Sequence, residues 1–289
     1  MSDETFVAPN SAGSGRAKLK APANAADCHM HIYDPTFPNR APRPFPENAG
    51  VPEYRRLQAR TGTTRVVIVQ PRNHGTDNAA TVNAIAAIGA NARGIAVLRP
   101  DVSEAELKQL DAAGIRGVRF SLGEPSSAIV TPDMIEPLAK RIAPLGWHVQ
   151  LHMPGDMFVE HAALLRRLPV PMVIDHMGRL PQPAGIEHPA FGIIRGLIDR
   201  DRAWVKLAGA YFQSRVGSPA YPESVPIARA YIQAAPERVV WGSDWPHPSE
   251  KTKPDDARLF DLLAEWAPDE AQRHRILVAN PAALYGFGA

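Results

Sequence analysis

Two histidines stand one residue apart, His29 and His31 in "ADCHMH". Further along, His152 ends "HVQLH", Asp175–His176 ends "MVIDH" and Asp244 ends "RVVWGSD". Imidazole and carboxylate together do general acid–base chemistry near neutral pH, and the same donors can hold a divalent metal. Taken singly, each has a bland explanation. A lone histidine at the end of an apolar run is more often structural than not, and an aspartate before "WPHP" can cap a turn. Four separate runs all ending in such groups are harder to dismiss. Buried without partners, each group would be costly, so they need one another, a metal or a substrate.

The elements that must carry them are short apolar runs. "RVVIVQ" (65–70), "GIAVL" (94–98), "GVRFS" (117–121), "HVQLH" (148–152), "MVIDH" (172–176), "AWVKLA" (203–208) and "RVVWGSD" (238–244) join "ADCHMH" to make eight. Runs apolar on both faces suit parallel strands covered by helices. Their starts recur at intervals long enough for crossover helices and too long for hairpins. Helical segments with recognisable ends lie between. "SEAELKQLDAAG" has Ser103 and Glu106 in capping-box spacing, and "TPDMIEPLAKRIAPLG" runs from Thr131 as N-cap to Gly146, with Pro137 arguing against one unbroken helix. "DDARLFDLLAEW" repeats Leu259, Leu262, Leu263 and Trp266 at helical spacing. "HMHIYDPTFPNRAP" lacks the glycines of a phosphate loop, which argues against a doubly wound sheet. The expectation is an α/β chain folded as a single (β/α)₈ TIM barrel.

In such a barrel the chemistry sits at the C-terminal strand ends. His29 and His31, two residues apart on a strand, share a face at a spacing of about 6.6 Å. They point into the mouth with His152, His176 and Asp244, and Gln70, Arg119 and Lys206 fall on neighbouring strands.

The chain of 289 residues is 45% hydrophobic and carries a net charge of +2 with no basic run, so neither nucleic acid nor a membrane surface is expected as a partner. Cys28 is the single cysteine, which excludes an internal disulfide and suits a reducing cytoplasm. No run is apolar for long enough to span a bilayer. Residues 1–24 are small and polar and read as a flexible arm, leaving 25–289 as the barrel. The proline-rich stretch 33–52 reads as a lid, and 209–225, with Tyr211, Arg215 and Tyr221, as a second wall.

The set His-x-His on strand 1, histidines after strands 5 and 6, and aspartate after strand 8 resembles the amidohydrolase superfamily. "IDHMGR", "VVWGSDWPHP" and "ILVANPAALYGF" are similar to its amidohydrolase-2 branch. Within that branch "IVQPRNHGTDNAAT" resembles the 2-pyrone-4,6-dicarboxylate lactonases, and "AGAYFQSR" and "WPHPSEKTKPDDARL" the galactarolactone isomerases. The resemblance covers about residues 22–287. It implies a small-molecule lactone as substrate. Asp244 would be the base, with His176, His29 and His31 polarising the carbonyl and Arg119 and Arg215 holding carboxylates. Gln70, His74 and Asn78 would face the substrate. The implied reaction is hydrolysis of a sugar-acid or dicarboxylate lactone, with isomerisation or a metal-dependent decarboxylation as alternatives. A barrel that binds a carboxylated ligand without turnover is the non-enzymatic rival.

Two departures bear on this. His152 is present where these relatives lack a histidine. The reading is therefore either no required cofactor, with His152 donating to substrate, or one divalent metal such as zinc on His29, His31, His152 and Asp244. Strand 4 offers no lysine to bridge two metals. "SLGEPSSA" after Arg119 carries no second arginine, which favours a substrate with one carboxylate or none. Lys206 would bind substrate or pair in the barrel floor, Cys28 should face away from the mouth, and a monomer or small homo-oligomer is expected.

Overall fold

Val66, Val67, Ile68 and Val69 are fully buried, as a strand covered on both faces demands. The computed structural model describes residues 6–123, 128–212 and 214–288. Eight strands follow one another around a single parallel sheet in chain order. They are Ala26–Met30 (β1), Arg65–Val69 (β2), Ala92–Ala96 (β3), Ile115–Ser121 (β4), His148–His152 (β5), Met172–Ile174 (β6), Ala203–Leu207 (β7) and Val239–Trp241 (β8). Helices cross between them, giving the expected (β/α)₈ barrel. All eight apolar runs read from the sequence carry a strand.

The helices end where their chemistry says. Ser103 accepts a hydrogen bond from the Glu106 N–H and starts the helix Glu104–Ala112. Pro137 sits in a segment that is α-helical only over Ile135–Ile142, with 3₁₀ turns at Pro132–Met134 and Ala143–Leu145 on either side. Asp255 caps Asp256–Trp266, whose Leu259, Leu262, Leu263 and Trp266 are buried.

The barrel closes at a seam between β1 and the segment following β8. There the Asp244 N–H donates to the His29 carbonyl at 2.7 Å and the His31 N–H to the Trp245 carbonyl at 2.8 Å. Beneath them the buried Asp27 carboxylate accepts from the Ser243 N–H (2.9 Å), Ser243 Oγ (2.6 Å), His29 N–H (3.1 Å) and Tyr54 OH (3.0 Å). Burial pushes the Asp27 carboxyl up to about 6 against those donors. Gly242 lets the two elements meet, since a Cβ there would stand 2.6 Å from His29 Cβ and 2.9 Å from His29 N.

Within the stretch expected as an arm, residues 6–24 form neither helix nor strand but are tied to the barrel. Pro9 O accepts from Trp245 Nε1 at 2.7 Å, and the Ala12 N–H donates to Pro254 O at 2.9 Å. The buried Arg60 donates to Gly15 O, Ser11 Oγ and Ala12 O and pairs with Asp255 at 2.6 Å. Residues 1–5, 124–127 (inside "SLGEPSSA") and 213 lie outside the described residues. Among those described, no helix is long and apolar enough to cross a membrane.

Candidate active site

Asp244 is the point of convergence. Its Oδ1 lies 3.3 Å from His29 Nε2, 3.5 Å from His31 Nε2 and 3.8 Å from His176 Nε2. All four residues are no more than 3% exposed. The sequence-read set His29, His31, His176 and Asp244 is therefore one cluster at the mouth of the barrel.

Each member is aimed by its surroundings. His31 Nδ1 is 2.7 Å from the Val69 carbonyl, which can only accept, so Nδ1 donates to it and the ring is held with Nε2 facing Asp244. His29 Nδ1 faces Asp175 Oδ1 at 3.2 Å. Asp175 Oδ2 accepts from Arg119 Nε (3.0 Å) and Gln150 Nε2 (3.1 Å). Gln150 in turn accepts from Lys206 Nζ at 2.7 Å, and Lys206 also donates to the Cys28 carbonyl at 2.7 Å. Lys206 therefore pairs in the barrel floor. Cys28 is buried in an apolar cluster with Val67, Val69 and Tyr285, and burial pushes its thiol up and keeps it unreactive.

Asp175 and His176 are neighbours in the chain, and an extended strand would send them to opposite faces. β6 stops at Ile174, and His176, Met177, Gly178 and Arg179 take φ of 52°, 53°, 75° and 44°. This left-handed turn brings His176 round to the same cluster, with its ring 4.7 Å from that of His29. After β7, Gly209 at φ 62° makes a similar redirection possible. A Cβ there would meet Phe212 at 2.5 Å and His176 Nδ1 at 2.7 Å. The turn lays Phe212 on the His176 ring at 4.5 Å and places the Tyr211 hydroxyl 2.5 Å from Asp244 Oδ2.

Electrostatics fix the charge states. Burial would raise the Asp175 carboxyl, but His29, the Arg119 guanidinium and Lys206 hold it well below the carboxylate range. Burial holds His29 well below its ordinary value, against the pull of Asp175, and lowers His176 to about 4. Burial would likewise raise Asp244, and the rings of His176, His31 and His29 outweigh it and keep the carboxylate ionised. Lys206 is lowered to about 8 by burial and stays charged beside Asp175.

A divalent cation fits His29, His31 and Asp244. Their ligand atoms lie within 4.8 Å of one another, and the buried His29 Nε2 has no hydrogen-bond partner among the described residues. Asp175 behind His29 and the Val69 carbonyl behind His31 orient the rings as outer partners of a metal site do. Among the described residues a second group, His29, Asp175 and His176, stands equally close, and His152 belongs to neither. Its Nδ1 is 2.9 Å from Ser121 Oγ and its Nε2 3.4 Å from Arg179 Nη1. Of the four ligands expected from sequence, His29, His31 and Asp244 stand together, and His152 lies against Ser121 beside them.

Other expected residues divide. Arg119 reaches the site, and among the described residues its Nη atoms have no hydrogen-bond partner. Gln70 spends its amide on Gly75 O, Asp77 O and Thr81 Oγ1. Asn78 is bound to Thr76 O and to both polar atoms of the Val97 backbone. His74 packs between Phe45 and Phe37 of the proline-rich loop, at ring distances of 5.0 and 6.4 Å. These three brace loops. Arg215 is exposed and lines a groove of about 590 Å³ with Gln182, Val216 and Glu223, whose lining includes none of the residues clustered on Asp244. The basic groups that do stand at the mouth are Arg179, 5.0 Å over the Phe212 ring, and Arg72, whose Nε donates to Ser121 Oγ at 3.3 Å. Asp175 was singled out at its strand end but given no role, and Gln150, Arg179, Arg72 and His247 were not read as site residues. Of these Asp175, directly after an apolar run, and Gln150, two residues before His152 on its strand, carried a positional signal.

The family model for amidohydrolases, Amidohydro_2, matches residues 26–287. The chain is 36% identical to a 4-sulfomuconolactone hydrolase of Rhizobium radiobacter, over 95% of this chain and 94% of the relative. It is 35% identical to a D-galactarolactone isomerase of Agrobacterium fabrum, over 94% of each. An apo crystal structure from Agrobacterium tumefaciens superposes with a TM-score of 0.87 at 34% identity, covering 94% of this chain and 99% of that one. Eight parallel strands, the His-x-His pair on the first and the aspartate after the last agree with that match, and the protein is an enzyme of the amidohydrolase family.

Proposed function

We propose that this enzyme hydrolyses an anionic lactone, of the sugar-acid or dicarboxylate type, with Asp244 as general base. The observation that carries the reading is the gathering of three imidazoles on Oδ1 of one ionised, buried aspartate. The hydrolase relative, similar over nearly its whole length, supports it.

In this reading Asp244 takes a proton from a water whose oxygen attacks the lactone carbonyl. The new C–O bond leaves a tetrahedral oxyanion in a site shielded from solvent, with the His176 ring N–H as its hydrogen-bond donor. Such preorganised polar groups act strongly in a dry site. Collapse breaks the ring C–O bond, and the leaving oxygen recovers the proton from Asp244. Arg119, with Arg179 and Arg72 near it, makes the mouth basic and suits a substrate carboxylate. A divalent cation on His29, His31 and Asp244 would, when bound, polarise the carbonyl and acidify water.

Turnover of a panel of sugar-acid and aromatic lactones, followed by pH indicator with and without chelator, tests the reading. Asp244→Asn should fold as wild type and lose at least about a hundredfold in kcat, the lower range for a general base. Near-wild-type hydrolysis by that variant would sink the assignment. The isomerase relative supports a second reading, in which the ring migrates between hydroxyls. Hydrolysis in ¹⁸O-water labels the product carboxylate, and isomerisation leaves it unlabelled.

A further inference from the structure

The site uses one oxygen of Asp244, and the structure shows what holds the other. Tyr211 OH donates to Asp244 Oδ2 at 2.5 Å and lies 2.9 Å from His247 Nδ1. His247 Nε2 faces both oxygens of Asp256, at 3.2 and 3.1 Å. His247 and Asp256 are 0% exposed.

We propose that Tyr211, His247 and Asp256 form a buried anchor that fixes Asp244 Oδ2, so that Oδ1 alone faces the imidazoles and the reacting water. The proposal rests on the reading of Asp244 as base and adds three positioning residues to it.

Hydrogen-bond bookkeeping gives the direction of the chain. Tyr211 has one proton and spends it on Asp244, so its oxygen accepts from the His247 Nδ1–H. Three bonds in series need three protons, and the third lies between His247 Nε2 and Asp256. A polar row of this kind costs more to bury than apolar filler, and buried pairs are weak evidence for stability alone. Its aim at Asp244 Oδ2 gives it another use.

The backbone supplies an independent reason for an anchor. Asp244 and His247 have φ of 63° and 54°, a region in which non-glycine residues persist only when their surroundings hold them. The His247 N–H bonds the Asp244 carbonyl at 2.8 Å, and Lys253 Nζ bonds the His247 carbonyl at 2.7 Å. Side chain and main chain thus clamp the same short turn. When Oδ1 accepts a proton during reaction, Oδ2 still accepts from Tyr211. The carboxyl therefore need not rotate.

The test uses the full chain and the variants Tyr211→Phe, Asp256→Asn and their double. With the best lactone of the panel, Tyr211→Phe should lower kcat about 10- to 100-fold, the cost of a small misplacement, with KM within about threefold. The double variant should fall no further than Tyr211→Phe, because the members act as a unit. Unchanged kcat in folded Tyr211→Phe, or a loss in the double equal to the product of the singles, overturns the proposal. A second arm needs no turnover. In ¹⁵N-histidine-labelled protein the His247 ring N–H, assigned by its loss in His247→Gln, should be protected from water exchange and should shift in Tyr211→Phe. A ring signal that exchanges freely and ignores Tyr211→Phe overturns the anchor even if no lactone is turned over, an outcome that would fail the functional reading separately.

Discussion

A glutamine and an aspartate show how residue type alone misleads. Gln70 ends an apolar run as the catalytic groups do, yet each of its polar atoms is bonded within the fold. Gln70→Leu should therefore cost stability, about 2–4 kcal/mol for the groups left unpaired, while KM in the surviving folded enzyme stays near wild type. Thermal melts and steady-state kinetics separate the two effects, and a raised KM at unchanged Tm would return Gln70 to the substrate. Asp175 is the converse: adjacent to His176, it ought by strand alternation to face away. Only the left-handed turn at 176–179 reveals that both serve His29. Positions on strands were legible because side-chain alternation is regular. Positions one step beyond a strand were not, because their direction depends on backbone angles that no spacing rule encodes.

At the level of elements, the eight strands were readable from β-branched runs buried on both faces, and the helices from Ser103 and Gly146 at their ends and from the apolar spacing of Leu259 to Trp266. Long-range partners were beyond reach. Nothing near Tyr211 in the sequence announces Asp244, and nothing near Arg179 announces His152, since each pair meets only once the barrel has formed. Arg179 and Arg72 likewise reach the mouth from other loops, which their places in the sequence do not announce. The seam offers a test at this scale. Gly242→Ala pushes a methyl to 2.6 Å from His29 Cβ unless β8 moves. Because the Asp244 N–H hangs from the His29 carbonyl across that gap, kcat should drop by about tenfold or more for a shift of a few tenths of an ångström. Loss of melting temperature without loss of kcat would show that the seam and the base are uncoupled.

For the whole molecule, buried histidines set the acid limit. His148 in the floor is lowered to about 3 and His176 to about 4, both by burial, from 6.5 when unfolded. Below pH 6.5 the unfolded chain takes up protons that the native chain refuses. Stability present above 6.5 is therefore lost as pH falls towards the native values. Asp27, raised from 3.8 to about 6, works the other way and returns one proton's worth between those values. His148→Leu removes one opposing group without touching the mouth. Its stability should fall less steeply from pH 6 to 4, by up to about 1.4 kcal/mol per pH unit. Urea titrations at pH 6, 5 and 4 measure this, and parallel slopes for wild type and variant would refute it.

The junction of first and last strands has one more implication. The two backbone bonds that shut the ring are made by His29, His31, Asp244 and Trp245, so three residues of the stave joint also carry the clustered side chains. Prying the hoop open there must silence the enzyme in the same event. Residual turnover under heat or urea is thus a direct gauge of whether the ring is whole.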